Sequence, residues 1–133
     1  MTLFVLGTNS VHHSAAIADY LDGRVGPNDE VHAINSQEGG DATSAEDVRD
    51  GEDALNAIQS RLGDATTVET HQFVRGNDPA EDVLDYADDV DADEIVIGIR
   101  KRNPTAKVVF GSTAQKILLR SNRPMAVVPL QSV

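Results

Sequence analysis

The chain has 133 residues, 22 acidic against 11 basic, and no cysteine. This length suits one domain, residues 1–133, with a single closed core, and the missing cysteine excludes disulfides and thiolate chemistry. No run reaches the ~20 apolar residues of a membrane span, and LFVLG near the start is too short for a signal peptide and lacks a basic leader, so a cytoplasmic protein is expected.

In chain order, TLFVLG (2–7) is a short apolar run closed by glycine and reads as a buried strand. A helix is expected over 14–21, with Ile17 and Leu21 four apart, ended by Gly23 and Gly26-Pro27. EVHAIN (30–35) is a second strand, followed by a polar loop, 37–43. Ser44 is placed as an N-cap with Glu46 and Asp47 in the first turn, and Val48, Leu55, Ile58 and Leu62 share one helical face. Gly51 weakens this helix by about 1 kcal/mol relative to alanine.

The β-branched stretch 66–74 is a third strand. Asp78-Pro79-Ala80-Glu81 reads as a cap, a first-turn proline and a capping-box acid, opening a helix with Val83, Leu84, Ala87 and Val90 inward. EIVIGI (94–99) is apolar through its centre and is expected to be buried on both faces. Gly111 or Ser112 starts a fourth helix, Pro124 stops it, and MAVVP (125–129) is a fifth strand. The β-α alternation predicts a three-layer α/β fold: an open parallel sheet with helices on both faces.

Ligands of such sheets bind beyond the carboxyl ends of the strands, where strand order reverses. Orders 3-2-1-4-5 and 2-1-3-4-5 are both compatible with five strands. In the first, the crevice falls between strands 1 and 4, whose ends here are Gly7-Thr8-Asn9-Ser10 and Gly98-Ile99-Arg100-Lys101. Gly111-Ser112-Thr113, at a helix N-terminus, adds backbone donors, hydroxyls and a partial positive charge. Neither a Walker A loop nor GxGxxG is present.

Charge is distributed unevenly. All 22 acids and four arginines lie in 1–97, whereas 98–133 holds seven cations and no acid. Such asymmetry suggests an anionic partner for the C-terminal part; the alternative is that these cations balance acids on the same surface. With three lysines against eight arginines, the acidic surface suits a high-salt cytosol, where the Debye length is about 3 Å at 1 M. A salt-adapted protein is expected.

The pattern Gly98-x2-Lys101-x9-Gly111-Ser112 resembles the universal stress protein family, whose nucleotide-binding members carry Gly-x2-Gly-x9-Gly-Ser/Thr after the fourth strand. DPAEDVLDYADDVDADEIVIG (78–98) is similar to that family's third helix and fourth strand, and RPMAVVP (123–129) to its closing strand. The resemblance is strong over 76–129 and collinear before it. It implies sheet order 3-2-1-4-5, an adenine-nucleotide-hydrolase-like, Rossmann-like fold, and a stress-response sensor or regulator binding ATP or AMP, with Mg²⁺ accompanying ATP. By the same resemblance Asn9 takes the place of an adenine-contacting aspartate, backbone at Asn35 and Ser36 frames the base, and Gly98, Gly111, Ser112 and Thr113 hold ribose and phosphates. Lys101 stands where the pattern has its second glycine. Its side chain either obstructs the phosphates or meets them as a point charge alongside Arg100 and Lys107. The alternative within the family is a nucleotide-free homodimeric interaction module.

Other constellations carry less. His12-His13, read as lying in a loop, and His32 lack metal-ligand spacing and are taken as surface histidines, with no metal assigned. The acidic clusters at 46–50 and 88–93 read as solvated helix faces. No nucleophile motif is present, so no catalytic residue is assigned and at most a slow ATPase is expected. The single aromatic of the basic segment, Phe110, disfavours nucleic-acid binding. Met125 to Val128 is an apolar edge strand, suited to pairing with a second copy, and the resemblance implies that homodimer.

Overall fold

A computed structural model describes residues 1–100 and 111–130. The element order is β1 (Leu3–Gly7), α1 (Val11–Leu21), β2 (Glu30–Gln37), α2 (Ala45–Leu62), β3 (Thr67–Val74), α3 (Pro79–Asp89), β4 (Glu94–Arg100), α4 (Ser112–Arg120) and β5 (Met125–Leu130), with a 3-10 turn at Gly40–Ala42 before α2. The strands form one parallel sheet in the order β3-β2-β1-β4-β5. Strand order therefore reverses at β1 and β4, as the first of the two compatible orders requires.

The central strands are apolar because both faces are covered. Phe4, Leu6, Val31, Ala33 and Val96 meet α1 and α2 on one face. Leu3, Val5, Ile34, Ile95 and Ile97 meet α3 and α4 on the other. In β4, Ile95 to Ile97 and Ile99 are buried, as its apolar run predicts.

The caps explain where helices begin. Ser44 and Asp47 form a reciprocal capping box at α2. Asp78 accepts from Ala80 N at 3.1 Å, with Pro79 in the first turn of α3. Glu81 reaches instead toward Arg120, 3.5 Å away on α4, so the expected role of Glu81 in a capping box is corrected: its side chain ties α3 to its neighbour. The first helix also begins earlier than its apolar spacing indicates. Ser10 is its N-cap, its hydroxyl accepting from His13 N at 3.1 Å. His12 and His13 therefore occupy the first turn of a helix and not a loop.

Gly51 carries a packing role in α2 that composition hides. A Cβ there would lie 2.1 Å from Asn35 Oδ1, so the glycine admits a buried amide beneath the helix.

Candidate functional site

Beyond the carboxyl ends of β1 and β4 lies a cavity of about 440 Å³, within the range of small-molecule sites. The loop after β1 forms one rim. Thr8 continues the sheet through its N–H to Ile34 O at 3.0 Å. Its carbonyl accepts from Asn35 Nδ2 at 2.9 Å, and its hydroxyl shares a 2.8 Å hydrogen bond with Ser14. Asn35 is 1% exposed, and its Oδ1 accepts from Gln37 and Gln72. These bonds tie the loop after β1 to β2, α1 and β3 at the edge of the cavity that Gly7 and Asn9 line.

The sequence-derived residues converge here. Gly7, Asn9, Ser36, Gly98, Arg100, Gly111, Ser112 and Thr113 all line this cavity. Asn35 does not line it, and its amide is committed to the fold. Lys101 and Lys107 fall outside the described residues. The Ser36 hydroxyl donates to Asp82, a buried carboxylate that also accepts from Asn77 at 3.1 Å; Ser36 therefore shapes the wall more than it offers a free donor.

Gly111 caps α4 with no side-chain hydrogen bond to the first turn. The leading N–H groups of this nine-residue helix thus lack a side-chain acceptor among the described residues, and Ser112 and Thr113 are exposed beside them. Such a terminus attracts anions. Among the described lining residues there is no aspartate or glutamate, although the chain holds 22. The described C-terminal cations divide in two. Lys116 pairs with Asp78, Arg120 with Glu81, and Arg123 with Asp88 and Asp91, so these three do balance acids of the same surface. Arg100 makes no ion pair among the described residues and borders the cavity.

Sequence reasoning missed two components. One is an apolar wall in which α3 contributes Pro79 and Val83, and the other is His13. His13 is half-buried, with Nε2 3.4 Å from Gly98 O, and its Nδ1 is buried without a hydrogen-bond partner among the described residues. Burial lowers its pKa below 6.5; the contact with Gly98 O opposes this, and the Arg100 charge adds to the lowering. A Cβ at Gly98 would lie 2.6 Å from His13 Cδ2, so the glycine makes room for the ring. The signal for His13 lay in its spacing: three residues after an N-cap at the end of β1, a side chain turns toward the adjacent strand end. His32 is also misread as a surface residue, being 5% exposed.

The comparisons with known proteins agree with this geometry. The solved universal stress protein of Archaeoglobus fulgidus superposes with a TM-score of 0.77 at 32% identity, covering 96% of this chain and 98% of that one. A structure of the Archaeoglobus fulgidus universal stress protein in complex with dAMP matches with a TM-score of 0.70 at 27% identity, over 96% and 98% of the two chains. A universal stress protein of Mycolicibacterium smegmatis is 38% identical over 96 residues, 71% of this chain and 72% of that protein. The sequence model of the universal stress protein family matches residues 17–129, and the chain belongs to that family.

Proposed function

We propose that this chain binds an adenine nucleotide in the crevice between β1 and β4 and acts as a stress-response sensor or regulator. The observation that carries the reading is a cavity whose described lining residues include no carboxylate, in a strongly acidic protein, beside the N-terminus of α4, whose N-cap glycine makes no side-chain hydrogen bond. The dAMP held by the Archaeoglobus fulgidus protein supports an adenine nucleotide as the anion.

Phosphates fit against the backbone of Gly111, the hydroxyls of Ser112 and Thr113, and Arg100. Gly98 gives close approach at the floor. The base fits the apolar wall, with Asn9 offering both a donor and an acceptor to a ring edge. ATP would arrive with Mg²⁺, and the reading is of binding, with turnover slow at most. Residues 1–133 act as one cytoplasmic, salt-adapted domain in this reading. The chain pairs with a second copy through the β5 edge, where Val127 is exposed.

Calorimetric titration of the purified chain with Mg-ATP and with AMP, in molar KCl, tests the reading. The expected result is saturable binding near one nucleotide per chain. No heat at several temperatures, in protein shown to be folded and nucleotide-free, would overturn it in favour of a nucleotide-free interaction module.

A further inference from the structure

A second constellation lies toward the opposite end of the sheet. In the parallel register of β2 and β3, Glu30 faces Thr67, His32 faces Glu69 and Ile34 faces His71. Alternate strand residues share a face, so Glu30, His32, Glu69 and His71 all project toward α3. His32 is 5% exposed, and its Nε2 is buried with no hydrogen-bond partner among the described residues. That nitrogen lies 3.1 Å from a Glu69 oxygen and 3.8 Å from a Glu30 oxygen. Its other ring nitrogen, Nδ1, is 2.7 Å from the Tyr86 hydroxyl of α3.

We propose that Glu30, His32 and Glu69 form a binding site for a divalent transition-metal ion of the zinc class. Their ligand atoms lie within 4.8 Å of one another. A tetrahedral centre with bonds of about 2.1 Å places ligand atoms ~3.4 Å apart. The cluster needs a contraction of at most about 1.4 Å, which the two more exposed glutamate side chains supply by rotation. An imidazole with two carboxylates suits zinc and its neighbours in the transition series, and two carboxylate charges neutralise a divalent ion. Tyr86 completes the arrangement: a hydroxyl accepting from Nδ1–H leaves the Nε2 lone pair directed at the metal. His71 Nε2 lies 3.5 Å from the other Glu69 oxygen, on the same face of the sheet. The reading is independent of nucleotide binding, because none of these residues lines the crevice.

The test is titration of the intact chain with ZnCl₂ by calorimetry, in parallel with tyrosine fluorescence. The protein has two tyrosines and no tryptophan, so Tyr20→Phe leaves Tyr86 as the single reporter beside His32. The expected result is one Zn²⁺ per chain, removed by EDTA, with a change in Tyr86 emission that saturates at the same ratio. Glu69→Gln, at a half-exposed side chain, should keep the circular dichroism spectrum and weaken binding at least tenfold. His32→Gln should abolish it. Double substitution of His12 and His13 to alanine should leave it unchanged. Absence of binding, equal binding by Glu69→Gln, loss on substituting His12 and His13, or silent Tyr86 emission would each overturn the site.

Discussion

The two ends of this sheet treat charge in opposite ways. At the carboxyl ends of β1 and β4, the described lining residues include no carboxylate and a helix N-terminus faces the space. Toward the amino ends of β2 and β3, two carboxylates lie beside a buried imidazole nitrogen that has no hydrogen-bond partner among the described residues. One end gathers backbone N–H groups and the other carboxylates, within a chain whose formal net charge is -11. Net charge therefore says little about local preference. What decides it is which backbone ends and side chains the topology collects at each place.

Four substitutions or titrations separate the two ends, given in decreasing order of effect. Gly51→Ala drives a methyl group into the Asn35 amide that holds the Thr8 loop. Alanine favours an exposed helix by about 1 kcal/mol, yet overpacking here should leave the protein less stable by roughly 2–3 kcal/mol. Urea unfolding gives the sign, and a stabilised variant would mean that the amide moves aside freely. Nucleotide affinity should fall with it, while Zn²⁺ affinity per folded molecule holds.

Gly98→Ala crowds His13 and, at 3.2 Å, Leu130. A side chain can yield where backbone cannot, so the expected loss is about 1–2 kcal/mol, together with weaker Mg-ATP binding by calorimetry. Unchanged binding would separate the floor of the cavity from the ligand. Arg100→Gln leaves stability within about 0.5 kcal/mol and weakens Mg-ATP by roughly tenfold, about 1.4 kcal/mol. The effect should shrink with added salt, and a variant that binds ATP like the parent would remove Arg100 from the site.

The smallest effect is a proton. His13 has a folded pKa below its ordinary 6.5, so the unfolded chain takes up the proton first as pH falls. The stability tied to neutral His13 is complete above pH 6.5 and declines below it until the folded pKa is passed. An NMR titration of the ring should give a midpoint below 6.5 in the free protein and a higher one with nucleotide bound, since phosphate favours imidazolium. A midpoint at or above 6.5 in the free protein would contradict its burial.

Much of the fold was legible because it rests on local signals. Ser44 and Asp78 each mark a helix start, and the apolar runs at 2–7 and 94–99 mark buried strands. The crevice was legible through its turn residues, since Gly7, Gly98 and Gly111 sit where topology places a ligand. Other features depend on what packs nearby. The first turn of α1 was missed because two histidines interrupt the apolar spacing that announces a helix. His32 was read as exposed, yet it lies in a strand whose faces are both covered, against Tyr86 of α3. Pro79 and Val83 became visible as a wall only once α3 was docked on the sheet.

The strand order also sets a timetable for assembly. Leu3 pairs with Glu30 and Phe4 pairs with Glu94, so the first strand meets a near partner on one side and a distant one on the other. Closing the shorter loop costs less entropy, which favours a β3-β2-β1 unit before β4 arrives. Glu30, His32 and Glu69 share that early unit, whereas the crevice has no second wall until the late strand is in place. Pulse-labelled hydrogen exchange during refolding should then protect β1 and β2 amides ahead of those in β4 and β5. The completed crevice would thus be an indicator of completed folding.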